Sequence, residues 1–157
     1  MKNKMKLWLT AFAAILIVSC SSTKNSTNLS ATNGHLEGTY TITDIQTDIP
    51  SGFKITDAFD EAPYENFKGS KWDLVRNGNG SFTMPNGTKE NIYWSINGKG
   101  DNAQFQFKKL NGEKARKVTD GYRLQLKNIG SNSFVARSPI DLGNGSTGYI
   151  TYTFTKS

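Results

Sequence analysis

The sequence predicts an all-β domain: an antiparallel, up-and-down barrel of about eight strands with a short helix after the first strand. Three observations carry that expectation. From Leu36 onward, apolar and polar residues alternate in short runs, the period of a sheet with one face in a core. The runs are separated by turns rich in glycine and asparagine, residues that tolerate the positive φ of tight antiparallel connections. The connections are mostly short, so each strand pairs with the next, and closing the meander removes its exposed edges.

Taken in order, the chain opens with Lys2, Lys4 and Lys6 followed by a charge-free run from Leu7 to Val18 that ends at Ile17-Val18-Ser19-Cys20. A run of this length, about 12 residues, falls short of the roughly 20 needed to span a bilayer and lies within the range of a secretory signal. Residues 1–19 therefore read as a signal peptide. An apolar residue three before Cys20 and a small one just before it are similar to the lipobox of bacterial lipoproteins, which implies that the Cys20 thiol is acylated. Cys20 is also the one cysteine of the chain, and a lone thiol in an exported protein is otherwise a reactive liability. Two or more acyl chains anchor a protein stably where one does not. Loss of the three signal lysines leaves 16 basic against 13 acidic residues, so the net charge falls from +6 to +3. No basic stripe interleaved with aromatics is present, so nucleic acid is not an expected partner.

Residues 20–35 read as a lipidated flexible tether, because one large apolar residue, Leu29, is too little to offset the entropy of ordering the segment. No aspartate follows Cys20, which by resemblance to lipoproteins generally favours the outer membrane and its periplasmic face, with surface exposure as the alternative. Residues 36–157 then form one domain, since a segment of that size supports one core.

Within the domain, Gly38 to Ile45 is the first strand, with Tyr40 and Ile42 in one phase. Thr56 to Ala62 is the expected short helix, capped by Thr56 or Asp57 and stopped by Pro63. Phe67 to Met84 reads as a hairpin around Asn77-Gly78-Asn79-Gly80, with Trp72, Leu74 and Arg76 sharing a phase and Phe82 and Met84 continuing it. Ile92, Trp94 and Ile96 mark the next strand, Phe105 and Phe107 the one after. Tyr122, Leu124 and Leu126 follow, then Phe134 to Ser138, and finally Ile150, Tyr152 and Phe154.

Leu36-x-Gly38-x-Tyr40, Phe67-x-Gly69-Ser70-x-Trp72, Gly80-x-Phe82, Ile92-x-Trp94, Phe105-x-Phe107-Lys108, Gly121-Tyr122-x-Leu124 and Tyr152-x-Phe154-x-Lys156 together resemble the lipocalin-like lipoproteins of Bacteroidetes. The likeness spans nearly the whole domain and implies a lipocalin-like barrel. Two departures stand out. Tyr40 occupies the place of the family's first-strand tryptophan, and Asn66 stands where many relatives carry one cysteine of a staple between the loop and the sheet. Thr119-Asp120-Gly121-Tyr122 is similar to a lipocalin Thr-Asp-Tyr loop with a glycine inserted.

Catalytic and metal chemistry find little support. The one histidine, His35, ends the tether, no nucleophile has a base, and no cluster of cysteine and histidine remains for a metal. The chain is expected to be no enzyme and to need no cofactor. Asp57, Asp60, Glu61 and Glu65 match no calcium-loop spacing and read as solvated charge. Lys108, Lys109, Lys114, Arg116 and Lys117 read likewise, with anionic head groups as the functional alternative.

An eight-stranded barrel is just wide enough to be filled by side chains or to hold one small ligand. Trp72, Leu74, Phe82, Trp94, Phe105, Phe107 and Tyr152 are thus core residues first and candidate ligand-binding residues second. Arg76 shares the phase of Trp72 and Leu74, and its charge requires a rim position, which makes it the candidate for holding an anionic head at the mouth. Two functions from different classes follow. The leading expectation is a membrane-anchored module that binds a small apolar or amphipathic molecule at the barrel mouth. The other is a structural or partner-binding envelope lipoprotein whose barrel is filled.

Overall fold

The computed structural model describes residues 30–55, 57–143 and 145–157. The signal peptide, Cys20 and the tether as far as residue 29 lie outside the described residues.

Eight strands close into a barrel in sequence order, each antiparallel to its neighbours: β1 (Gly38–Thr47), β2 (Lys71–Leu74), β3 (Asn79–Thr83), β4 (Lys89–Asn97), β5 (Gln104–Lys109), β6 (Tyr122–Lys127), β7 (Ser133–Asp141) and β8 (Thr147–Lys156). β1 pairs with both β2 and β8, so no edge is left open. The local sequence explains the turns. The side chains of Asn77, Asn86 and Asp141 each accept a hydrogen bond from the backbone two residues on, at 3.0, 2.9 and 2.8 Å, the self-closing turn that these residue types favour.

The alternation lands where it is expected. Trp72, Leu74, Phe82, Ile92, Trp94, Phe105, Phe107, Leu124, Leu126, Phe134, Ile150, Tyr152 and Phe154 are all buried, and their strand neighbours are not. In β1 the register to β8 slips between Ile42 and Asp44. This bulge interrupts the simple alternation after Ile42, so Ile45 is half-buried at the strand's far end.

One barrel end is closed by a short turn, α1 (Asn33–Leu36). Thr32 caps it, Leu36 is buried, and the Asn33 side chain accepts a hydrogen bond from the backbone of Ile96 in β4 at 3.0 Å. Residues 30–35, which the sequence assigns to the tether, are therefore built onto the barrel. The buried Leu36, the partly buried Ala31 packed against the core, and the Asn33 side chain that continues β4's bonding seat them.

The other end is closed by the segment after β1, where the expected helix is displaced. Ala58 and Ala62 form an antiparallel bridge around a tight turn at Phe59-Asp60, and the helical element is one 3-10 turn over Tyr64–Phe67, on the far side of Pro63. The reason is tertiary. Phe59 and Asp60 both take left-handed backbone, φ 55° and 48°, the type I′ geometry that normally calls for glycine or asparagine. Asn111-Gly112 makes the same turn with the expected residues, φ 46° and 78°. At Phe59 the cost is offset by burial of the ring.

Candidate functional site

The barrel interior is a continuous aromatic core. Trp72 stacks on Phe82 with centroids 4.8 Å apart, and meets Phe107 at 5.2 Å and Phe154 at 5.5 Å edge to face. Phe134 stacks on Phe154 at 4.4 Å, and Phe105 lies 5.8 Å from both Trp94 and Phe107. Both tryptophans of the barrel have a partner for the indole N–H: Trp72 donates to the buried Ser70 hydroxyl at 3.0 Å, Trp94 to the carbonyl of Asn79 at 3.1 Å.

Phe59 completes the core from above. Its ring enters the mouth and lies between 5.1 and 5.5 Å from Phe107, Phe67, Tyr122 and Tyr152, with Trp72 beyond at 6.4 Å. The polar groups of the turn are tied down as well. The Tyr122 hydroxyl donates to the carbonyl of Phe59 and the carboxylate of Asp60, both at 2.9 Å. Lys109 donates to the carbonyl of Asp60 at 2.9 Å and pairs with Glu61 at 3.0 Å, both side chains largely buried. Two of the four clustered carboxylates thus hold a plug in place. Burial first, then the bond to Asp60, pushes the Tyr122 hydroxyl well above the usual tyrosine range. Burial does the same for Tyr152, whose hydroxyl lies in the core without a hydrogen-bond partner among the described residues.

Seven of the eight sequence-predicted ligand residues (Trp72, Leu74, Phe82, Trp94, Phe105, Phe107 and Tyr152) are therefore brought together, as packing against one another. Arg76 is not with them. It lies beyond the end of β2 and belongs to the end closed by α1, where its guanidinium grips Glu37 through two bonds of 2.7 and 3.0 Å. Gly34 of α1 lies against the guanidinium. The expectation that Arg76 stands over an open mouth is thus corrected: Val75 donates to Asn79 O and Gly78 to Val75 O, which turns the chain before the period of two reaches residue 76. The bond from Arg76 holds the Glu37 carboxyl below its usual range.

Four hollows among the described residues lie outside the barrel wall. A groove of about 650 Å³ runs over β4, β5 and the start of β6, lined by Tyr93, Ser95, Gln106, Phe107, Lys108 and the stretch Thr119 to Arg123. Smaller ones of about 440, 310 and 210 Å³ flank the two barrel ends. Of the eight candidate residues only Phe107 lines any of these four. The groove was missed in the sequence because its residues occupy the polar phase of the strands. The one signal there was Tyr93, a large aromatic out of phase with Ile92 and Trp94. The basic run is dispersed: Lys108 donates to the carbonyl of Val118 at 2.7 Å, Lys109 holds the plug, and Lys117 pairs with Glu113 at 3.8 Å. His35 is exposed, its Nδ1 bonded to the carbonyl of Ser30.

Comparison with protein-family models, curated proteins and solved structures finds no match to this chain. The functional reading accordingly rests on the residues and their geometry.

Proposed function

We propose that the chain is a lipid-anchored envelope lipoprotein with a lipocalin-like barrel that is filled, non-catalytic, and active through its outer surface. The observation that carries this reading is the aromatic packing around Trp72, completed by Phe59 at one end and closed by Leu36 at the other. Ligand sites are usually hollows of a few hundred Å³, and the two largest of the four hollows lie outside the wall. The signal sequence and Cys20 support attachment to the outer membrane, facing the periplasm.

One observation favours the alternative of a small amphipathic ligand at the mouth. The Tyr152 hydroxyl is buried below Phe59 without a partner among the described residues, so a ligand that displaced Phe59 would find a polar contact there. The full-length protein, purified in mild detergent, is titrated with fatty acids and with lysophospholipids while tryptophan fluorescence is followed. The filled barrel predicts no saturable response, because Trp72 and Trp94 are already enclosed by rings. A saturable response to either ligand class overturns it. The anchor is tested separately by fractionating cells that carry Cys20→Ala, which is expected to leave the membrane fraction. Retention as firm as the parent's overturns the lipid assignment.

A further inference from the structure

We propose that the outer groove over β4, β5 and β6 is a binding site for an acidic oligosaccharide, an inference that names a partner class for the outer-surface activity above and rests on that reading. The strand register builds the floor. Ser95 pairs with Gln106 and Gln106 with Arg123, so the three side chains form a row across adjacent strands, about 10 Å long at the usual strand spacing. Tyr93 and Lys108 pair in the next row. Each has at least one buried strand neighbour and so faces outward.

Two glycines shape the site. Gly78 has φ 93°, and a Cβ there would come within 2.8 Å of the Tyr93 ring. The ring therefore lies directly on the β2–β3 turn, while the residue remains 36% exposed. Gly121 passes so close to β5 that a Cβ would meet the Phe107 carbonyl at 3.0 Å. That approach brings Thr119 and Asp120 alongside the row as a wall.

The charges in the groove are unspent. Arg123 and Asp120 both line it, yet neither makes an ion pair with the other or with any other group among the described residues. The bond from Lys108 to a backbone carbonyl leaves its charge uncompensated. Two cations thus face one carboxylate, which favours an anionic occupant, and the guanidinium suits a carboxylate bound through two parallel hydrogen bonds. The remaining groups fit hydroxyls: the Gln106 amide, which spends one N–H on the Gln104 side-chain oxygen at 3.2 Å and keeps a second N–H and its own oxygen, and the Ser95 hydroxyl both donate and accept, and Asp120 accepts. The negative face of the Tyr93 ring suits the polarised C–H face of a sugar ring. A peptide is less well served. The barrel is closed and has no edge strand to extend, and the groove lacks the row of apolar pockets that anchors a helix.

The test is calorimetric titration of the full-length protein in detergent with trigalacturonate, cellotriose and triglutamate. Saturable binding of trigalacturonate is expected, weakened about tenfold or more by Arg123→Ala and by Tyr93→Ala, abolished by Ser95→Trp, which fills the floor, and unchanged by Arg116→Ala outside the groove. The urea midpoint of each variant confirms that it is folded. Three results overturn the proposal: no saturation with trigalacturonate, equal binding of cellotriose or triglutamate, or indifference to the groove substitutions. If trigalacturonate fails and the fatty acids also give no response, the filled barrel stands without this site. A saturable fatty-acid response overturns the filled barrel whatever the sugars do.

Discussion

Replacing Phe59 by alanine removes a ring that is 7% exposed and meets five others. Truncating a buried phenylalanine costs about 3–5 kcal/mol, the lost transfer energy plus the cavity left behind. The backbone adds a second, opposite effect. At φ 55° a residue with a Cβ carries a penalty of about 1–2 kcal/mol that glycine escapes. Phe59→Gly should therefore be less destabilising than Phe59→Ala by about 1 kcal/mol, the reverse of their order at most positions. Equilibrium urea unfolding reads both quantities, and for a small domain the midpoint should fall by about 2 M in Phe59→Ala with little change in slope. Phe53→Ala is the control, since that side chain is 48% exposed and should change stability by no more than about 0.5 kcal/mol. A loss below about 1 kcal/mol in Phe59→Ala would refute the plug, and a larger loss in Phe59→Gly than in Phe59→Ala would refute the left-handed turn.

Trp94→Ala and Phe105→Ala should each cost about 3–5 kcal/mol, and Gln104→Ala, in the outward phase of β5, should do little; equal small losses at all three would mean that the inward phase is wrong. Lys109→Ala leaves Glu61 and the carbonyl of Asp60 without a largely buried partner, so unfolding should show a loss of about 2–3 kcal/mol, well above that of Lys114→Ala on the surface. Stability should fall as pH rises above 10: Tyr122 and Tyr152 are raised from a reference value of 10.0, so above it the folded chain retains protons that the unfolded chain has released. Below that pH neither group contributes a slope. Tyr152→Phe should reduce the alkaline loss without lowering stability at neutral pH, because the hydroxyl it removes has no partner among the described residues; urea midpoints that stay constant between pH 8 and pH 11 would refute the assignment.

The barrel was legible from the chain because the period of two and the turn residues are local properties. Trp72, Phe82, Phe105 and Tyr152 face the core for the reason visible in the sequence, that each follows and precedes a polar neighbour, and Asn77, Asn86 and Asp141 close their turns with their own side chains. Extrapolation failed where the strand itself ended. Arg76 continues the phase of Trp72 and Leu74 on paper, but the chain has already turned at Val75, and Glu37 takes the guanidinium. The stretch from Asp57 to Ala62 has helical residues and a stop at Pro63, yet six aromatic rings together are stabler than a short isolated helix in water, so Phe59 accepts a strained backbone to reach them. Whether the interior is filled was likewise beyond the sequence, since eight strands allow either outcome and the plug comes from a loop. The outer groove depends on which strands are neighbours: Ser95, Gln106 and Arg123 are 28 positions apart end to end, and their row exists only because antiparallel pairing of β4, β5 and β6 sets them side by side.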